Sequence, residues 1–514
     1  MTDNSPQLSQ PPDQPDPGLG GERGTLHLVE MLSHDDAQVR FNAAQKLTRL
    51  GDERAIATFV AIVDNRDEET RLRGRAVEAL ASFQRPEIED RLAELMHSDD
   101  EPYVVQQASD GLYRLNRDRL RQIGMQLIAH DQSDAFQLRG VDVLRKFRRE
   151  DDVFETLKHT MRHSAHERVR SQAIEVYRLQ GRPELYDTMI DALRDEAAGV
   201  RAGAAWTLGV IGDRQAIAAI LRLLHDEDNQ DWHTQSSLVR ALAMLGEPSV
   251  IEVIVHNIWQ RLDDPHSVNI NLLIHSVVGA GELGDRSAVQ ALIALLDSMT
   301  DSDDIVFVVQ ALERLGDQRA VEPLIQLLDR LAQRDDDASY TIEKVLNALR
   351  LLAGPAAVPH LQRFVAGSAL QGLEERSRTT MQAHMAGLLL AVGQVEYVPL
   401  LIESLVKLGW GFYEWRPGRE LEDLQRYMQD ADAELILPAL EGFMHNPDLD
   451  GDTRECVLDV AGALDPDHSL AYIERWMNRF PEIGGYGVGL LLDGIKTKAA
   501  VEIAQAWSPP DEEA

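Results

Sequence analysis

The chain has 514 residues, with 86 acidic side chains against 51 lysines and arginines and a formal net charge of −35. That length exceeds what one hydrophobic core normally serves, and that charge repels nucleic acid, which argues against a lone globular domain and against a nucleic-acid binder. Aromatic residues make up only 5% of the chain, strand-like alternation is not sustained, and no glycine-rich phosphate loop is present, which argues against a sandwich, a barrel or a nucleotide-binding α/β domain. An all-α fold is expected.

Residues 1–24 hold Pro6, Pro11, Pro12, Pro15 and Pro17 among Gln, Asp, Ser and Gly, too few apolar groups to offset the entropy of ordering a chain. A disordered tail is expected there. No N-terminal apolar segment resembles a signal peptide or a membrane span, and a single cysteine, Cys456, excludes an internal disulfide. These features point to a cytoplasmic protein that makes no membrane contact.

From residue 25 to 408 glycine or polar breaks recur at 51, 84, 116, 149, 181, 212, 246, 284, 316, 354 and 393, a step of 31 to 39 residues. The segment after a break carries apolar residues at offsets 0, 3, 4 and 7, as in Ile56, Phe59, Val60, Val63 and in Val289, Leu292, Ile293, Leu296, which puts one stripe on a helix. A second helix follows, such as Val200, Ala204, Ala205, Leu208, Ile211, whose small residues let another helix approach closely. Acidic runs open these second helices: Asp35 and Asp36, Asp99 to Glu101, Asp226 to Asp228, Asp301 to Asp304, Asp335 to Asp337. Acids there suit the free amides and the positive end of the helix dipole. A helical hairpin copied many times gives an α-solenoid, or superhelix, of tandem antiparallel hairpins.

The breaks Gly51-Asp52-Glu53-Arg54-Ala55, Gly212-Asp213-Arg214-Gln215-Ala216, Gly284-Asp285-Arg286-Ser287-Ala288 and Gly316-Asp317-Gln318-Arg319-Ala320 resemble HEAT repeats of the subtype named after phycobilisome lyases. So do Val39-Arg40, Val169-Arg170 and Val200-Arg201 in the second helices, and Pro323, Pro359, Pro399 and Pro438, expected to kink the first helices. The resemblance spans about residues 25 to 507 and implies a fold more than an activity. Deoxyhypusine hydroxylases resemble this chain in their Gly-Asp breaks, but their iron ligands are repeated His-Glu pairs and only His166-Glu167 occurs here, so that activity is not carried over. No tetrapyrrole-attachment residue of a bilin lyase can be identified either.

Residues 409–428 interrupt the repeat with Trp410, Phe412, Tyr413, Trp415, Arg416 and Tyr427, in a chain otherwise poor in aromatics. The stretch reads either as a docking loop for a partner or as a plug between atypical repeats. Divergent repeats and a cap follow over 429–507, with stripes Ile436, Ala439, Leu440, Phe443 and Leu470, Ile473, Met477. The glycines 484, 485, 487 and 489 lack a phosphate-loop lysine and read as a turn, and residues 508–514 as a second disordered tail.

Arg40, Arg71, Arg170 and Arg201 recur near the starts of second helices, where guanidiniums can bridge aspartates of their own or the next hairpin as a structural ladder. HEAT proteins commonly carry one. His159 and His163 are one helical turn apart beside His166 but fall opposite the stripe Val153, Leu157, Met161, and so toward solvent. Asp448, Asp450 and Asp452 have calcium-ligand spacing, yet Thr453 occupies the loop's glycine position and Asp459 that of the bidentate Glu. No metal, cofactor or catalytic set is expected.

Three classes of function fit: a non-catalytic scaffold or adaptor binding a protein or peptide on the inner row of second helices, a bilin-lyase-like or chaperone-type enzyme accessory, and a HEAT-type nucleic-acid binder, the last disfavoured by charge. The first accounts for the whole chain. Acidic runs aligned along one edge favour a basic partner over nucleic acid; helix capping and solubility alone would produce the same runs.

Overall fold

The computed structural model describes residues 22–98, 101–130, 133–229, 231–331, 338–366, 375–409, 424 and 427–480. Trp410, Phe412, Tyr413, Trp415 and Arg416, the glycine cluster, residues 1–21 and residues 508–514 lie outside them, while Glu22 to Gly24, read as the end of the first tail, open a helix. The described residues contain α-helices and short 3-10 turns and no strand. The chain divides between Ile211 and Gly212 into two compact units.

The first unit holds α1 (Glu22–Met31), α2 (Ala37–Arg49), α3 (Ala55–Asp64), α4 (Thr70–Leu80), α5 (Pro86–Ser98), α6 (Pro102–Leu115), α7 (Arg117–Ile128), α8 (Asp134–Arg145), α9 (Asp151–His163), α10 (Glu167–Tyr177), α11 (Tyr186–Ala192) and α12 (Ala198–Ile211). The second holds α13 (Ile217–Leu224), α14 (Trp232–Met244), α15 (Val250–Asp263), α16 (Ile270–Leu283), α17 (Val289–Ser298), α18 (Ser302–Leu315), α19 (Val321–Leu331), α20 (Ser339–Ala353), α21 (Val358–Ala366), α22 (Glu375–Ala391), α23 (Val398–Leu408), α24 (Ala433–Met444), α25 (Gly451–Ala463) and α26 (Pro466–Arg479). Through α22, odd helices are first helices of hairpins and even ones second helices. Each packs on its own hairpin partner, and within a unit several second helices also pack on their counterparts in the next hairpin, as α4 does on α6 and α16 on α18, the α-solenoid arrangement.

Gly284 shows how a hairpin ends. Its φ of 73° lies in the left-handed region, where a side chain is strained, and its N–H donates to the Ala280 carbonyl. Asp285 then accepts from the Ser287 amide at 2.8 Å, which starts the next first helix. Gly51, Gly212 and Gly316 take the same conformation. The break at 116 works without glycine: Asn116 accepts from the Arg119 amide at 3.0 Å, capping α7 directly. Pro323, Pro359 and Pro399 do not kink their helices. They stand in the first turn, where an absent N–H costs nothing, and only Pro438 is interior to its helix.

First-helix stripes are close to the expected ones, with shifts. On α3 the buried set is Ala55, Phe59, Ile62 and Val63, while Ile56 and Val60 are half-buried. Second helices are buried on more of their circumference because neighbours flank both sides. A Cβ on Gly140 would lie 2.8 Å from the Ile128 backbone nitrogen, and one on Gly281 3.0 Å from Ala311 Cα. Ala204, Ala205 and Leu208 of α12 are fully buried.

Leu208→Asp places an unpaired charge in this packing, at a cost of about 4 kcal/mol or more. We expect loss of helical circular dichroism from several hairpins of the first unit, not from α12 alone.

Candidate interaction surface

Three sets of charged side chains stand out in this fold. The first closes helix ends. Counting from the cap, the fourth residue of a second helix turns back onto the carbonyls of the preceding connection. Arg40 Nη1 donates to the His34 and Asp35 carbonyls at 2.8 and 2.7 Å, Arg201 Nη1 to those of Asp195 and Glu196 at 3.0 and 2.8 Å, and Arg170 Nη1 to Ser164 at 2.9 Å. Gln137 and Gln235 occupy the same position and reach the carbonyls of Ile128 and Asn229. Arg454 does so in α25, onto Leu449 and Asn446. These carbonyls have no intrahelical partner, so the ring of donors satisfies groups that packing would otherwise strand.

Two of these arginines also reach the next hairpin. Arg170, 8% exposed, makes a two-pronged contact with Asp195, Nε and Nη2 each 2.7 Å from a carboxylate oxygen, and Arg40 Nη2 lies 3.2 Å from Glu68. Arg71 is not in the set. Its side chain is exposed, and Arg73, 2% exposed, takes the equivalent place, with Nε donating to the Val63 carbonyl at 3.0 Å. The helix is capped at Glu69, which puts its fourth residue at 73.

The second set joins successive first helices: Asp64 with Arg91, Arg121 with Asp152, Asp297 with Arg330 at 2.9 Å, and Asp329 with Arg363 at 2.7 Å. These pairs are partly exposed, and each contributes about 0–1 kcal/mol. Sequence reading missed them, although an Asp following a Leu-Leu or Ile-Val pair recurs at 64, 297 and 329.

The third set lies in the second unit and is mostly buried, with Asp430 exposed. Arg350 of α20 donates from Nη2 to Asp430 at 3.0 Å and to Asn347 at 3.3 Å, and Asn347 donates to Glu313 of α18 at 3.3 Å. Glu343 lies 3.3 Å from Lys344 Nζ and 3.7 Å from Nε2 of His384, which is 1% exposed on α22. Tyr427 is fully buried, its ring edge-on to His384 at 6.2 Å and under Arg350 at 5.5 Å. Tyr427 belongs to the aromatic stretch that reads as loop or plug, and its own ring packs inside. No periodicity could bring these groups together, since they come from positions up to 117 apart, from Glu313 to Asp430.

His159 and His163 are exposed with ring centroids 4.4 Å apart, on a groove of about 630 Å³ with Gln137 and Glu155, whereas His166 is half-buried and not in its lining. Among the described residues no three His, Cys, Asp or Glu are grouped to hold a metal ion. Asp450 caps α25 by accepting from the Thr453 amide at 2.9 Å, with Asp448 and Asp452 exposed on either side. Burial pushes the Cys456 thiol well above its ordinary range, with Asp459 adding to the effect, so it is not a nucleophile at neutral pH. Among the described residues no helix is long and apolar enough to cross a membrane.

In each unit, acids stay exposed where second helices open. Asp35, Asp36, Glu101, Asp226, Glu227, Asp228, Asp263, Asp264 and Asp301 are exposed at or beside the connections that open second helices. Three large exposed aromatics stand at the first or second residue of second helices, Tyr103 on α6, 40% exposed, Trp232 on α14, 44%, and Tyr340 on α20, 57%, and another, Trp259, 41% exposed, lies within first helix α15.

This geometry defines an α-solenoid of helical hairpins. A family model of HEAT repeats matches residues 25–113, 154–231 and 186–265, and one of the PBS lyase HEAT-like repeat matches 306–330. The chain is a HEAT-repeat protein. Among solved structures, yeast importin-β (Kap95p) matches with a TM-score of 0.55 and 12% identity, over 94% of this chain and 73% of that one. Kap121p bound to Pho4p gives 0.52 and 11%, over 96% and 62%, and the karyopherin Kap121p bound to the extreme C-terminus of the protein phosphatase Cdc14p gives 0.52 and 13%, over 96% and 66%. The chain thus spans 62% to 73% of the length of these karyopherins, and such identities establish the fold alone. No curated protein matches the chain.

Arg170→Ala strands Asp195 at a site 14% exposed and is expected to cost about 3 kcal/mol in urea unfolding, whereas Arg71→Ala costs under about 0.5 kcal/mol. A pH effect follows at Asp317, whose hydrogen bonds from the Arg319 side chain and amide hold its carboxyl down at about 2 against an ordinary 3.8. A depressed folded value means that its contribution is present above 3.8 and lost as pH falls toward 2. Asp317→Ala therefore flattens the acid-unfolding curve in that window, which circular dichroism against pH can follow.

Proposed function

We propose that this protein is a non-catalytic HEAT-repeat scaffold or adaptor that holds a protein or peptide partner along its second helices, with the acidic edge drawing in a basic segment. The observation that carries this reading is the recurrence of exposed Tyr103, Trp232 and Tyr340 at the opening turns of second helices, Tyr103 and Trp232 close behind exposed acids. An aromatic face beside carboxylates suits lysine and arginine, through contact of the cation with the ring and through ion pairing. Buried charges such as Arg170, Arg350 and Glu343 are engaged in bonds within the fold. The karyopherin structures with bound Pho4p and Cdc14p segments support the reading by example. The stretch from Trp410 to Arg416 is proposed, from sequence alone, as a second contact.

The test is affinity capture from a lysate of the source cell, with the intact chain and a Trp232→Ala/Tyr340→Ala variant. The variant should keep full helicity and lose about tenfold or more of a captured protein, and capture by the intact chain should weaken as salt is raised. Equal capture by both chains overturns the reading.

A further inference from the structure

Between the connection after α15 and the connection after α17 lies a cavity of about 250 Å³ on the acidic edge of the second unit. Its deep lining is apolar: Leu273 and Leu295 are 1% and 2% exposed, with half-buried Met299 and exposed Pro265 nearer the surface. At its mouth stand Asp301, exposed, and Asp304, half-buried. The volume falls just short of the roughly 300–1,000 Å³ that small-molecule sites occupy, and suits one long side chain rather than a cofactor or a helix.

Charge decides which side chain. Asp301 caps α18 by accepting from the Asp304 amide at 3.2 Å, so the positive end of that helix, about half a charge, faces two carboxylates. Arg261 also lines the cavity, and its Nη1 donates to the Val268 carbonyl at 3.3 Å. Asp263 and Asp264, both exposed, adjoin the lining residues Leu262 and Pro265 and leave the surroundings net negative. An apolar barrel with an acidic rim matches a side chain with an aliphatic stem and a cationic head.

We propose that this cavity anchors a lysine or arginine side chain of a basic segment lying along the acidic edge, the stem against Leu273, Leu295 and Met299 and the head at Asp301 and Asp304. The assignment rests on the scaffold reading and gives it a specific point of contact. A neutral aliphatic side chain is the competing occupant.

Fluorescence anisotropy with a labelled peptide of roughly twelve residues alternating lysine and serine tests it on the full chain. Asp301→Asn with Asp304→Asn removes the charge while asparagine keeps the cap. Met299→Lys places a tethered ammonium in the cavity. Both variants should retain wild-type circular dichroism and weaken peptide binding about tenfold, against less than about threefold for Asp226→Asn with Asp228→Asn, the same charge removed elsewhere on the edge. Equal weakening by both Asn pairs overturns the anchor in favour of diffuse attraction, and undiminished binding of a norleucine-for-lysine peptide overturns it in favour of an apolar slot. Capture of a cellular partner that needs Trp232 and Tyr340 but not Asp301 leaves the scaffold reading standing and sinks only the anchor.

Discussion

A hairpin of two amphipathic helices cannot cover its own apolar surface, and everything else in this fold follows from how closely the next hairpin must approach to do so. Second helices come near enough that glycine or alanine is required at the crossing. Gly281 of α16 faces the backbone of Ala311 in the next hairpin, and Gly140 of α8 the backbone of Ile128 in its own, with no room for a larger residue unless something moves. Helix ends at the connections carry carbonyls without an intrahelical partner, and the arginines and glutamines four residues into the second helices donate to them. The ladder thus recurs because the connection recurs.

The same argument explains the use of arginine. The chain has seven lysines and 44 arginines. Arg40 meets two carbonyls and a carboxylate of the following hairpin at once, and Arg170 meets a carbonyl and both oxygens of Asp195. Arg286 closes the far end of α18 by donating to the Leu315 and Gly316 carbonyls at 3.1 and 3.2 Å. A planar five-donor fork can span acceptors on two elements, which a single ammonium on a flexible stem does poorly.

Repeat spacing made the hairpins legible because the step of 31 to 39 residues is a property of one supersecondary unit, and the Gly-Asp breaks carry their own local chemistry. Register within a helix was less legible. Arg71 and Arg73 stand two apart, and only the cap at Glu69 decides which of them turns inward. The first-helix ion pairs escaped notice because each joins residues 27 to 34 apart through a contact that neither helix's own pattern requires. The network around His384 was hidden for a different reason: α22 is buried on nearly all sides, from Met381 through Leu390, so no polar face announces where its one buried imidazole points. The shared signal in all these cases is three-dimensional adjacency between hairpins.

Buried or half-buried charge in this protein is largely spoken for by carbonyls, caps and carboxylate pairs, yet the net charge is −35. The excess therefore sits at the surface, and capping alone does not explain its density. One side-chain acceptor suffices to cap a helix, as Asp36 does for α2, while Asp35 beside it is exposed and Asp226, Glu227 and Asp228 stand exposed three in a row ahead of α14. Neighbouring carboxylates repel one another, a cost carried where such acids stand in a row. Some of these acids stand where second helices open, next to exposed rings at Tyr103 and Trp232, which is the arrangement the proposed function draws on. That coincidence of charge and aromatic exposure, more than the likeness of fold to karyopherins, is what motivates the proposal of a basic partner.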